Sequence, residues 1–151
     1  MKIGSPKEIA EGEKRVAMTP DSSLQLQKLG FNCIIESGAG ADAGFTDVAY
    51  ENSGVEVVKT AAALWKTADV IVKVRGINAK ERKYLRAGQT VISFFWPAQN
   101  PDLMEVFKAA NANAIAMDMV PRISRAQKMD ALSSMANIAG YRAVIESGNQ
   151  F

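Results

Sequence analysis

Residues 19–36 read TPDSSLQLQKLGFNCIIE, and this stretch decides the fold. Thr19 followed by Pro20 predicts the start of a helix, because threonine caps helices and proline fits the first helical position. Leucines at helical spacing follow, and a glycine then ends the pattern. Asn32–Glu36 is apolar enough for a buried strand. The stretch therefore predicts a helix, Pro20–Leu29, followed by a strand.

The same alternation of strand-like and helical patterns continues along the chain at intervals of about 20 residues, which is typical of βαβ units. The predicted strands are Lys2–Gly4, Asn32–Glu36, Val55–Val57, Asp69–Val74, Thr90–Phe94 and Ala114–Met117. The further predicted helices are Thr46–Ser53, Thr60–Trp65, Asn78–Gly88, Asn100–Ala110 and Asp130–Ser147. We expect an α/β fold: a single Rossmann-like (flavodoxin-like) open sheet, mostly parallel, with helices on both faces.

Amino-acid composition narrows the range of possible partners and reactions. The net charge of +2 over 151 residues gives no reason to expect nucleic acid or an anionic membrane as a partner. No histidine is present, and Cys33 is the only cysteine, so zinc chemistry and Ser-His or Cys-His catalysis lack their usual groups. No apolar run reaches the length of a membrane span. We expect a soluble domain in a reducing compartment, with no metal ligands and no catalytic acid or base.

Residues 120–134 carry two arginines, a glutamine, an aspartate and three serines between a strand and a helix. Such a loop at the carboxyl end of a strand is where open α/β sheets bind ligands. Guanidinium and amide groups suit a carboxamide or phosphates. The alternative is a solvated connection in which Asp130 only caps the next helix.

Three other segments are better interpreted as structural. The glycine-rich stretch 36–44 has the spacing G-x-G-x-x-x-G, so it predicts a turn rather than a dinucleotide fingerprint. Residues 94–101, with two prolines, predict a rigid turn on the same edge as the 120–134 loop. Arg15 and Lys73 can grip a carboxylate or lie as solvated strand ends.

The last predicted helix carries small residues at spacings of three and four. This strip predicts close packing against a partner, another part of the protein or its own interior. Its members are Ala136, Ala139, Gly140 and Ala143.

Taken together, several segments closely resemble the alpha-subunit family of proton-translocating NAD(P) transhydrogenases, and more weakly the amino-terminal domain of alanine dehydrogenases. The resemblance covers essentially the whole chain. The segments that carry it are Ile3–Glu8, Glu13–Pro20, Glu36–Gly40, Ser93–Pro101, Pro121–Gln127 and Asp130–Ala143.

The resemblance implies that NAD(H) binds through Arg122, Gln127, Asp130 and Ser133. In this assignment Gln127 and Ser133 bond the nicotinamide carboxamide. Arg122 contacts the ring end and the pyrophosphate, and Asp130 orients Arg122. Such contacts position a ring for hydride transfer, which requires no side-chain proton transfer.

The resemblance also implies a domain organisation. Residues 1–151 correspond to the alanine dehydrogenase/transhydrogenase N-terminal domain, and the second lobe, which bears the GxGxxG fingerprint, is absent. The complete enzyme transfers hydride between NADH and NADP⁺ and couples this to proton translocation. It includes membrane and NADP(H)-binding components at the cytoplasmic side of the inner membrane, and the subunit is a homodimer. The isolated fragment is expected to be inactive.

Two alternatives remain. An alanine dehydrogenase-like domain would use Arg15 and Lys73 on its substrate, but the histidine of that family has no counterpart here, and an amino-acid dehydrogenase needs an acid/base group. A non-catalytic folding or interaction module would explain the missing fingerprint and the small-residue strip.

Overall fold

The computed structural model describes residues 1–150, which alternate between strands and helices. Within that range the strands are β1 (Lys2–Ser5), β2 (Asn32–Glu36), β3 (Glu56–Val58), β4 (Val70–Arg75), β5 (Thr90–Phe94) and β6 (Asn113–Ala116). The α-helices are α1 (Pro20–Lys28), α2 (Asp47–Asn52), α3 (Ala61–Thr67), α4 (Pro101–Ala109) and α5 (Ala131–Gln150). Short 3₁₀ helices span Ala41–Ala43, Arg82–Tyr84, Met117–Met119 and Ser124–Met129.

The strands form one sheet in the order β3-β2-β1-β4-β5-β6, and all of its pairs are parallel. This confirms the predicted α/β fold, and the order is that of the Rossmann fold rather than that of flavodoxin. The order reverses between β1 and β4. β2 and β5 have the predicted bounds, and the other strands differ from prediction by one residue at one or both ends.

Each face of the sheet carries its own hydrophobic core, as the alternation of side chains along β2 requires. Ile34 packs with Leu64 and Trp65 of α3 and with residues of α4. Cys33 and Ile35 point to the opposite face and pack there with residues around α1 and α2. The predicted placement of helices on both faces is therefore confirmed.

A threonine caps α1, as predicted, and threonines also cap α2 and α3. The hydroxyl oxygens of Thr19, Thr46 and Thr60 each accept a hydrogen bond from the backbone amide three residues later, at 3.2 Å. Each bond satisfies an amide that the helix itself leaves free. Local sequence therefore sets where these helices begin.

The predicted helix Asn78–Gly88 is wrong, because only the 3₁₀ helix Arg82–Tyr84 forms there. The carboxylate of Glu81 is drawn inward to the ammonium group of Lys73, at 2.9 Å, and also accepts from the amide of Asn78. Tyr84 and Leu85 turn to pack against the core. These tertiary contacts outweigh the helical pattern of the segment.

One half of the sheet is less covered than the rest. Val72, Ile92 and Ile115 lie side by side on the face opposite α3, and Ile115 is 49% exposed. Right-handed crossovers explain the asymmetry. They place α1 and α2, which connect β1, β2 and β3, on one face, and α3 and α4 on the other.

Among the helices of residues 1–150, none has the length and apolar character that a membrane span requires.

Candidate functional site

A cavity of about 490 Å³ opens at the carboxyl ends of β5 and β6. Its walls come from the segment after β5, the segment after β6 and the start of α5. The lining combines guanidinium groups with aromatic and sulfur-bearing side chains, a mixture that suits a planar ligand with polar substituents. The main lining side chains are Arg15, Arg75, Arg122, Phe94, Trp96, Met117, Met119, Asp130, Leu132 and Met135.

The segment after β5 is a rigid elbow, residues 94–100. The rings of Phe94 and Trp96 stack with their centroids 5.9 Å apart. The carboxylate of Asp118 accepts the backbone amides of Phe95, at 2.7 Å, and Trp96, at 3.0 Å. The side-chain amide of Asn100 donates back to the carbonyls of Phe95 and Trp96 instead of capping α4. The predicted rigid turn therefore exists, and it forms one wall of the cavity.

Asp130 ends the loop on the opposite wall and caps α5. Its carboxylate accepts the amides of Leu132 and Ser133, each at 3.1 Å, and the hydroxyl of Ser133 at 2.6 Å. The bond from the Ser133 hydroxyl lowers the pKa of this carboxyl most, and the two amides and the nearby charge of Arg122 lower it further. Asp130 therefore stays ionised at neutral pH and holds the amino-terminal end of the helix.

The structure brings only two of the four predicted NAD(H)-binding residues into the cavity lining. Arg122 and Asp130 both line the cavity, but among residues 1–150 no hydrogen bond or ion pair joins their side chains. Ser133 commits its hydroxyl to Asp130. Gln127 lies exposed on the 3₁₀ helix Ser124–Met129 and is not part of the lining. Asp130 therefore caps α5 and lines the cavity at the same time.

A second cluster lines the cavity from the side of β4. The buried carboxylate of Glu13 receives the guanidinium of Arg15 at both of its oxygens, each at 2.7 Å, and Nε of Arg75 at 2.8 Å. The bond from Arg15 is the main reason why the pKa of Glu13 falls to about 2. Arg75 was not predicted as a cavity group, nor Glu13 as its partner, because their ion pair spans 62 residues and leaves no local pattern. Trp96 lies in the segment that was predicted only as a rigid turn, and the structure places it in the cavity lining.

Lys73 lies elsewhere, fully buried between two carboxylates. Its ammonium group is 3.2 Å from Glu8 and 2.9 Å from Glu81. Glu8 also accepts the amide of Val74 at 2.6 Å, at the carboxyl end of β4. A carboxylate of the chain itself thus occupies the point between β1 and β4 where open sheets commonly bind ligands. Lys73 is neither a solvated strand end nor a group of the main cavity.

The glycine-rich segment after β2 forms a turn, as predicted. The carboxylate of Asp47 accepts the hydroxyl of Ser37, at 2.6 Å, and the amide of Gly38, at 2.8 Å. These bonds occupy the amide of Gly38, one of the backbone donors that a phosphate would contact in a dinucleotide fingerprint. The segment therefore has a structural role, and the cavity beside Arg122 is the candidate site.

Comparison with known proteins gives the family context. The model of the family described as alanine dehydrogenase/PNT, N-terminal domain, matches residues 4–139. The whole chain is 70% identical to part of the NAD(P) transhydrogenase subunit alpha of Cereibacter sphaeroides, covering 29% of that protein. It is 34% identical to part of the alanine dehydrogenase of Bacillus subtilis, covering 39% of it.

A solved structure agrees with this placement. The crystal structure of transhydrogenase from Sinorhizobium meliloti superimposes on the whole chain with a TM-score of 0.92 at 40% sequence identity. The chain covers 45% of that structure. It thus spans less than half the length of each of these three proteins.

Proposed function

This chain belongs to the family of alanine dehydrogenase/PNT N-terminal domains, and from that membership we propose that it is the N-terminal lobe of the NAD(H)-binding component of a proton-translocating transhydrogenase. In the complete enzyme this component transfers hydride between NADH and NADP⁺, and the transfer is coupled to proton translocation. Residues 1–151 form one lobe, and a second lobe supplies the phosphate-binding fingerprint.

The observation that carries the proposal is the cavity itself. It places Arg122 and the Asp130-capped start of α5 opposite an aromatic wall, at the carboxyl edge of a parallel sheet. A nicotinamide ring fits this donor set, because an aromatic wall takes its plane and polar groups take its carboxamide. The bound dinucleotide would supply the hydride. Arg122 would bind its polar end, and Gln127, exposed on the same loop, would reach the carboxamide.

The ionisation of the site supports a reaction without a side-chain acid or base. The pKa of Glu13 is about 2, and that of Asp130 is also lowered. Carboxyls held so far below neutrality are poor proton-transfer groups at pH 7. Hydride transfer between two nicotinamide rings needs none, so these residues serve to hold and orient.

The proposal also covers assembly. We expect the full subunit to form a homodimer and to work with the membrane and NADP(H)-binding components at the cytoplasmic side of the inner membrane. The support comes from family membership and from α5, whose side chains pack against almost nothing else in residues 1–150.

The assignment of the loop is tested in the full subunit, combined with the NADP(H) component, by the rate of hydride transfer. Arg122→Ala and Gln127→Ala should each lower the rate by about tenfold or more, the cost of losing one ring-positioning contact. Arg125→Ala is the matched control, because Arg125 lies exposed on the same loop away from the cavity lining. Rates within about twofold of wild type for both test variants would overturn the assignment.

The isolated lobe is tested by calorimetric titration with NADH. We expect millimolar binding or none, because the lobe lacks the phosphate-binding fingerprint. A dissociation constant below about 0.1 mM would show that the isolated chain is a sufficient binding unit. It would also exclude the view that the fragment is only a folding module.

An alanine dehydrogenase-like activity is the second candidate, because Arg15 lines the cavity. Two features oppose it: Lys73 is neutralised by Glu8 and Glu81, and the chain has no histidine. Oxidation of NADH by the full-length parent with pyruvate and ammonia, at ordinary enzymatic rates, would reverse our preference. We expect none.

A further inference from the structure

Trp96 has a backbone conformation that its side chain does not favour. Its φ is 46°, in the left-handed region that glycine and asparagine enter most readily. For a bulky residue this conformation is costly, and it persists only where the surroundings impose it. Such outliers concentrate at binding sites.

The surroundings fix both sides of this residue. Asp118 accepts its amide at 3.0 Å, and its carbonyl accepts the amides of Gln99 and Asn100 at 2.9 and 3.0 Å. The side chain of Asn100 donates to the same carbonyl at 3.2 Å. Phe94 stacks against the indole. The elbow is therefore held from several directions, and it turns the ring out of the sheet.

The result is an aromatic surface at the cavity. The Trp96 residue is 39% exposed and lines the cavity across from the loop that carries Arg122 and Asp130. Burial in the core does not explain it, since the core on that face is already filled by Phe95, which is 1% exposed. A planar ring held between the two walls would meet the indole.

Charge decides which ring is favoured. Three arginines line the cavity, and three carboxylates lie in or against its walls, so a cationic ring meets no excess of positively charged side chains. Among side chains, the face of tryptophan attracts cations most strongly. The arginines are Arg15, Arg75 and Arg122, and the carboxylates are Glu13, Asp118 and Asp130.

We propose that Trp96 is a stacking platform that binds the positively charged pyridinium ring of an oxidised nicotinamide in preference to an uncharged ring. The proposal rests on the proposed function, because it takes the cavity as the nicotinamide site. It adds a residue that specifies the redox state of the ligand, and Asp118 and Asn100 are its positioning residues.

The test uses the 151-residue chain and two small probes, 1-methylnicotinamide, which is a pyridinium cation, and uncharged nicotinamide. Ligand-observed NMR saturation transfer gives both dissociation constants. We expect values on the order of millimolar, as ligands of about ten non-hydrogen atoms reach. The cation should bind roughly two- to fivefold more tightly than the neutral probe.

Substitutions at position 96 locate the preference. Trp96→Leu should abolish it, and Trp96→Phe should leave a smaller preference, because a phenyl ring attracts cations less than an indole. Phe31→Leu is the matched control: it removes an aromatic ring at the amino-terminal edge of the sheet and should change neither constant. Far-ultraviolet circular dichroism checks that every variant is folded.

The outcomes separate this proposal from the assignment of the loop. Equal affinities for the two probes in wild type, an unchanged preference in Trp96→Leu, or no binding of either probe at 50 mM, a ceiling roughly tenfold above the expected constants, would overturn the platform. If Trp96→Leu removes the preference while Arg122→Ala and Gln127→Ala leave both probes bound, the platform stands and the loop assignment fails. If Trp96→Leu keeps the preference while Arg122→Ala and Gln127→Ala abolish binding of both probes, the loop assignment stands and the platform fails.

Discussion

Residues 1–116 and residues 117–150 differ sharply in how they are packed. The first region holds both hydrophobic cores, with side chains such as Trp65, Tyr50 and Ile71 fully buried. In the second region only Ala126 and Asp130 are buried, and α5 buries none of its residues. The first region therefore supplies the stability of the fold. The second region supplies much of the candidate site and is free to serve recognition.

The largest expected effect concerns the buried charges of the first region. Lys73→Met leaves Glu8 and Glu81 facing each other without a cation, which should lower the free energy of unfolding by about 3–5 kcal/mol. Lys66→Met removes an exposed lysine and should stay within about 0.5 kcal/mol of wild type. Urea denaturation measures both. A small loss in Lys73→Met would mean that water reaches this cluster.

The same substitution placed in each region compares them directly. Ile71→Ala empties a fully buried position and should cost about 2–5 kcal/mol. Ile138→Ala acts at a side chain that is 63% exposed and should cost less than about 0.5 kcal/mol. If Ile138→Ala costs as much as Ile71→Ala, then α5 is covered in solution. Sedimentation would then identify a second copy of the chain as the cover.

The first region should also make the stability of the protein depend on pH. The pKa of Glu13 is about 2 in the folded chain against 4.5 as its ordinary value, so its contribution is present above pH 4.5 and is lost as the pH falls toward 2. Glu13→Gln should be less stable at pH 7 and should show a shallower loss of stability across that window. Glu51→Gln, at an exposed carboxylate, is the control and should keep the wild-type slope. If the free energy of unfolding falls in parallel for Glu13→Gln and wild type as the pH is lowered, Glu13 does not have the lowered pKa.

The smallest effect is expected in α5. A Cβ added at Gly140 would meet no atom within 4 Å, so the predicted small-residue strip is open in residues 1–150. Gly140→Ala should favour the helix by roughly 0.5–1 kcal/mol and strengthen its circular dichroism signal, with little change in the urea midpoint. A lower midpoint would indicate that another backbone packs closely on this strip.

The sequence predicted the fold well where local signals and tertiary packing agree. The strand Thr90–Phe94 has its predicted bounds, and Thr19 caps its helix as predicted. The helix predicted from Asn78 to Gly88 does not form, because Glu81 bonds to Lys73 of β4. Helical spacing carries no information about such a partner.

The candidate site was predictable only in part, for a related physical reason. The composition and position of the 120–134 loop predicted a polar loop at a ligand-binding edge, and the family resemblance singled out Arg122 and Asp130 within it. The structure puts both residues in the cavity lining. The opposite wall depends on Glu13 and Arg75, which are 62 residues apart, and on the left-handed turn at Trp96. Long-range ion pairs and imposed backbone strain leave no period in the sequence, so only the folded chain reveals them.

The central claim is that a nicotinamide binds between the elbow and the loop, and not at the strand-order reversal between β1 and β4. An NMR titration of the nitrogen-15-labelled chain with 1-methylnicotinamide, up to about 50 mM and so roughly tenfold above its expected dissociation constant, tests it most directly after assignment of the amides. Our account predicts that the largest shifts cluster in residues 94–99 and 117–135. Shifts concentrated in residues 5–8, 36–44 and 74–76 would place the ligand where Glu8 and Asp47 already occupy the backbone amides, and would contradict it.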